Sequence, residues 1–177
     1  MKSKPIGLLV STAIVLILVL MPIVGCSGEE KERVASDAKS IKLVGAITET
    51  IELTFFSKGA KTKCHGTTCK FIEQDGKTSV YIGIPLWLMC GWVDDNIKHG
   101  SGAFNDELAQ KGYRVVIITA DGQMAVFDSR KIRRNDNIIL ANKVGIKSIK
   151  GYPTLVSSDP GQILKLKRVV EIRLEFK

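Results

Sequence analysis

The sequence predicts an α+β domain with a mixed, mostly antiparallel β-sheet core and two short helices. Three observations carry this. Val115, Val116, Ile117 and Ile118 form a β-branched run that reaches Asp121-Gly122 and returns through Met124, Val126 and Phe127, the pattern of a β-hairpin. Val170, Ile172, Leu174 and Phe176 alternate with Glu171, Arg173 and Glu175, as a strand with one wet face does. Behind Pro85, Leu86, Trp87, Leu88, Met89, Cys90, Trp92 and Val93 are apolar nearly all round, as in a short buried helix.

Taken in order, residues 41–44 and 51–56 read as short strands, the second alternating and then fully apolar. Residues 57–68 are rich in Lys, Gly, Ser and Thr and form a loop that holds Cys64, His65 and Cys69 at its end. Lys70-Phe71-Ile72-Glu73, an Asp75-Gly76 tip and residues 78–82 make a second hairpin. After the apolar helix, a polar loop carries Asp94, Asp95 and His99. A second helix follows over residues 103–111, with Phe104 and Leu108 four apart and Gly112 as its stop. The run 115–118 has no alternation, so it should be covered on both faces and the hairpin should sit centrally, its Asp-Gly tip taking the positive φ angles of a primed turn. Residues 129–134 then form a basic turn, residues 138–144 an apolar strand, and Tyr152 to Val156 a short extended piece. No repeat is visible.

A chain of 177 residues suffices for one ordinary domain with a sizeable core. Its 45% hydrophobic and 25% charged residues fit a globular protein and argue against disorder. Lys2 and Lys4 precede an almost wholly apolar stretch over residues 6–24, an n-region and an h-region. The stretch closes on Ile23-Val24-Gly25-Cys26 and turns abruptly polar. This tetrapeptide resembles a prokaryotic lipobox, which implies a lipoprotein signal peptide over residues 1–25 and lipid attachment at Cys26. The alternative is an uncleaved transmembrane anchor, and both place the body of the protein on the extracytoplasmic side of the cell membrane. Residues 26–40 are the flexible tether and residues 41–177 the domain.

Removing Lys2 and Lys4 lowers the net charge from +8 to +6. The basic residues are dispersed, without interleaved aromatics, which suits a solvated surface near anionic lipid and not nucleic acid.

The segments Tyr81-Ile82-Gly83-Ile84-Pro85-Leu86-Trp87, Gly112-Tyr113-Arg114-Val115, Ala120-Asp121-Gly122, Phe127-Asp128-Ser129, Asn137 to Lys143 and Tyr152-Pro153-Thr154-Leu155-Val156 occur in this order. In that order they resemble the oxidoreductase molybdopterin-binding domain, the fold of sulfite oxidase, in its small stand-alone exported form. The resemblance covers residue 41 to the end. It implies a cysteine thiolate on molybdenum, with Cys69 the better positional match and Cys64 the second. It also implies cationic and aromatic residues around the pterin.

From the residues themselves, Cys64-His65 and Cys69 allow three readings: a local disulfide between Cys64 and Cys69, free thiols, or ligation of molybdenum or zinc by thiolate and imidazole. Arg130, Lys131, Arg133 and Arg134 could bind a phosphate or simply face water. Cys90 reads as a buried core thiol, and His65 and His99 as lone histidines in polar loops. Asp94-Asp95 with Asp106-Glu107 reads either as helix caps and a wet face or as an acidic cation site. Because site residues are sparse and fold does not carry function, the expected role is a non-catalytic ligand-binding or interaction module without a cofactor. Its partners would be the membrane through the lipid, and a small anionic ligand or a redox partner protein. The alternative is a molybdopterin-dependent oxidoreductase or electron-transfer subunit with a cysteine on molybdenum.

Overall fold

Among the described residues, fifteen short elements arise where period and turn chemistry change along the chain. A computed structural model describes residues 40–98, 102–149 and 153–177. The expected signal peptide, Cys26, nearly all of the expected tether, His99 and Tyr152 lie outside the described residues. The chain divides between Arg33 and Val34, and every described residue falls in the second unit. No helix among the described residues is long and apolar enough to cross a membrane.

The strands are β1 (Ser40–Val44), β2 (Thr48–Glu52), β3 (Thr67–Ile72), β4 (Thr78–Pro85), β5 (Arg114–Thr119), β6 (Met124–Asp128), β7 (Ile138–Val144), β8 (Lys147–Ser148), β9 (Thr154–Ser157), β10 (Leu164–Leu166) and β11 (Val169–Glu175). The helices are α1 (Leu53–Gly59), α2 (Leu86–Gly91), α3 (Asp106–Lys111) and α4 (Ser129–Ile132). The class is α+β and mostly antiparallel, as the patterning predicts. Instead of one central sheet, however, there are two: β2-β1-β11-β5-β6, and β10-β9-β7-β4-β3 with β8 paired to β7. Among the described strands only β1 and β11 run parallel, so the first described strand lies beside the last.

Two extra helices appear where the sequence reads as strand or turn. Leu53, Phe56 and Ala60 recur at i, i+3 and i+7, and Phe56 and Ala60 are buried, so the apolar end of the expected second strand is the inner face of α1. Asp128 caps α4 by accepting from Arg130 N, and Ile132 is driven into the core, which closes the basic turn into one helical turn. The buried Ser129 hydroxyl then ties α3 to it, donating to Ala109 O at 2.8 Å and accepting from Tyr113 N at 2.8 Å.

Both hairpins form, but neither has a primed two-residue turn. At each tip the glycine alone takes positive φ, Gly76 at 79° and Gly122 at 82°, and each glycine N–H returns to the carbonyl three residues back. This is a type I turn closed by a left-handed glycine, a three-residue loop. Val115, Val116 and Ile117 are buried on both faces as expected, yet only β5 is internal; β6 is an edge. On β11 a bulge between Val169 and Glu171 shifts the register. Val169 is buried in place of Val170, and Phe176 is left half-exposed against the Tyr113 ring.

One apolar cluster joins Ile41, Leu43, Val115, Ile117 and Ile172 of the first sheet to Ile84, Ile138, Leu140 and Leu155 of the second. The second sheet also curls. Lys165 of β10 lies 2.6 Å from Glu73 beyond β3, although these strands are its opposite edges, and encloses a smaller core of Cys69, Phe71, Tyr81, Ile139, Ala141 and Val156. A bulge in the β4–β7 pairing sits at Gly83, where a Cβ would lie 1.8 Å from Leu140 O. Only glycine fits there.

Candidate functional site

Where α1 ends, the chain folds tightly back on it. Thr62 N–H and the Thr62 hydroxyl both donate to Gly59 O, at 2.9 and 2.8 Å, and Gly66 N–H donates to Thr62 O at 2.8 Å. A Cβ on Gly66 would meet Ala60 O at 2.4 Å, so this turn needs glycine to close. The result places three polar side chains together. Cys64 Sγ lies 3.0 Å from His65 Nδ1, the same nitrogen lies 3.1 Å from Thr62 Oγ1, and the thiol is 3.4 Å from that hydroxyl.

His65 is also part of the wall of a cavity of about 80 Å³, whose other walls are apolar: Ile51 of β2, Phe56 of α1, Ile84 of β4, and Leu88, Met89 and Trp92 in and after α2. Phe55 flanks it, 53% exposed, its ring 5.6 Å edge-on from Trp92. Gly59 lines the cavity too, where a Cβ would approach Ile84 Cδ1 to 3.2 Å. A space this size exceeds what one water needs, and walls with a single titratable group give water few partners. It suits an apolar group.

The other expected site residues are scattered. The disulfide between Cys64 and Cys69 is not formed, and both are free thiols. The physical reason is placement: Cys69 lies on β3 facing the smaller core, 2% exposed, with its sulfur 3.2 Å from Ser158 Oγ and 3.5 Å from Asn137 O, whereas Cys64 sits exposed in the preceding turn. Cys90 is wholly buried, and that burial pushes its thiol pKa well up, in keeping with an inert core residue.

The basic segment does not converge on a phosphate site. Arg130 donates through Nε and Nη2 to Asp128, at 2.8 and 2.5 Å, and holds that carboxyl down at about 2. Arg133 donates to Gln110 at 2.8 Å. Arg134 pairs with Asp106 at 2.6 Å while its guanidinium covers the Trp87 ring at 4.6 Å. Asp94 and Asp95 accept from the backbone N–H and side-chain amide of Asn105, and it is Asn105 that caps α3 by accepting from Leu108 N, so the acidic pair braces the capping residue and is not itself the cap. Among the described residues no group of three His, Cys, Asp or Glu side chains could hold a metal ion.

These placements bear on the molybdopterin that the resemblance implies. Such a cofactor needs a thiolate with open space beside it and cations for its phosphate. Cys69 is sealed among Phe71, Tyr81 and Val156, Cys64 adjoins a cavity without a cation on its wall, and Arg130 and Arg134 are already matched by carboxylates. The described residues do not fit the group.

Sequence reasoning found Cys64 and His65 but missed the cavity. Its signal was present in the apolar-all-round character of residues 86–93, which have more apolar surface than one packed face requires. Two further features had no sequence signal. Glu73 accepts from Tyr81 OH at 2.7 Å and from Lys165 Nζ at 2.6 Å, and Asp94 Oδ1 and Tyr113 OH are buried without a partner. No family model matches the chain, and no curated protein matches its sequence.

Proposed function

We propose that this chain is an exported lipoprotein, held at the cell membrane through Cys26, whose folded domain is a non-catalytic binding module for a small apolar ligand. The ordered segments from Tyr81 to Val156 support reading its two-sheet frame as a version of the molybdopterin-binding fold that serves without the cofactor. The observation that carries the function is the cavity of about 80 Å³ between α1, α2 and the strand pair β2 and β4. Its apolar walls favour an alkyl or aryl group over the anionic ligand that the net positive charge suggests, because transfer of such a group from water contributes about 0.8 kcal/mol per methylene.

Methyl NMR of 13C-methionine-labelled protein tests this. On titration with 1-hexanol the Met89 methyl, on the cavity wall, shifts and saturates, while the Met124 methyl, 66% exposed on β6, stays in place. An unmoved Met89 at the solubility limit of the alcohol would remove the basis of this function.

A further inference from the structure

We propose that Cys64 is an acyl acceptor, taking an apolar acyl group from an activated ester or thioester whose chain fills the neighbouring cavity. This rests on the apolar-ligand reading and deepens it. Three features meet at one place. The Cys64 thiol is exposed and in no disulfide, the His65 imidazole nitrogen stands 3.0 Å from its sulfur, and His65 is part of the wall of the apolar cavity. With Nδ1 as the unprotonated ring nitrogen, the thiol within hydrogen-bond reach of it has a base at hand. Phe56, Leu88, Met89 and Trp92 give the acyl chain an apolar seat against His65, the neighbour of the nucleophile. The closeness converts encounter into positioned attack.

In the step, the Cys64 sulfur bonds to the carbonyl carbon and the bond from that carbon to the leaving oxygen or sulfur breaks, its electron pair departing with the leaving group. The thiol proton passes through His65 to the leaving group. The products are S-acyl-Cys64 and one alcohol or thiol, with no change of oxidation state. Cys69 and Cys90 are excluded as acceptors by their burial, at 2% and 0% exposure.

The test uses the full-length chain in detergent, p-nitrophenyl hexanoate and p-nitrophenyl acetate as probes, and N-acetylcysteine as the free-thiol reference. Acylation is followed by p-nitrophenolate release and located by peptide mass spectrometry. Relative to the reference, Cys64 prefers the hexanoyl ester by about tenfold or more, because the longer chain adds buried methylenes. Cys64→Ser abolishes the burst. His65→Gln slows it on the order of 100-fold. The same ester preference as N-acetylcysteine, or an unchanged rate in His65→Gln, overturns the proposal. If Met89 responds to hexanol while Cys64 behaves as a free thiol, only this inference fails. If Met89 does not respond, the binding function itself fails with it.

Discussion

Asp94 shows how one side chain can couple folding to pH. It is 1% exposed, its Oδ2 accepts from Asn105 N at 2.9 Å, and its Oδ1 has no partner. Burial therefore pushes its pKa from 3.8 up to about 6, against the opposing pull of the Asn105 N–H. A carboxyl raised on folding contributes stability that is complete below its unfolded value and lost as pH rises through about 6. Asp94→Asn removes this titration while retaining the acceptor. Its melting temperature relative to the native chain is expected to rise between about pH 4 and about pH 7, by an amount worth at most about 3 kcal/mol. A constant difference across that range, measured by calorimetry, would show that Asp94 does not titrate there. The position of Asp94 in a polar stretch of sequence suggests a solvated cap. Instead it is buried and accepts from the backbone N–H of Asn105, the residue that caps α3, and that contact joins residues eleven apart through a loop whose path the sequence does not specify.

Among the elements, the curled second sheet rests on a polar clasp. Lys165 Nζ lies 2.6 Å from Glu73 Oε2 and 3.2 Å from Tyr81 OH, and stands over the Phe71 and Tyr81 rings at 5.4 and 5.7 Å. The Lys165 ammonium, helped by the Tyr81 hydroxyl, holds the Glu73 carboxyl below its ordinary value. A carboxyl lowered on folding contributes above its unfolded value, and that contribution is lost as pH falls through the lowered one. A double-mutant cycle of Glu73→Gln and Lys165→Met is expected to give a coupling of about 1 kcal/mol at neutral pH, since the pair is only partly shielded from water. The coupling should vanish in acid. Persistence there, in urea denaturation of the four proteins, would show that the clasp is not ionic. Each hairpin was legible because Asp-Gly flanked by β-branched residues is a local signal. The clasp was not, because Glu73 and Lys165 are brought together only when opposite edges of one sheet meet.

For the whole molecule, the reading as a tethered module predicts that mature protein from its native host begins at Cys26 and carries a diacylglyceryl group there, as intact mass and amino-terminal peptide analysis would show. An unmodified Cys26 still joined to residues 1–25 would replace the lipid by an uncleaved anchor. The sequence by itself determined the α+β class, both hairpins, the stop of α3 at Gly112, the buried helix behind Pro85 and the inert character of Cys90, because period, turn chemistry and apolar density are properties of neighbours along the chain. It also marked Cys64 and His65 as the chemically suggestive pair. Only the tertiary structure decided that the strands form two sheets, that Leu53–Gly59 is helical, and that Val169 and not Val170 faces inward at the bulge. It alone placed Cys69 in the smaller core and Cys64 in an exposed turn, matched Arg130 and Arg134 to carboxylates, and set His65 against an apolar cavity. These are outcomes of packing between segments far apart in sequence, where burial and partner geometry outweigh local preference.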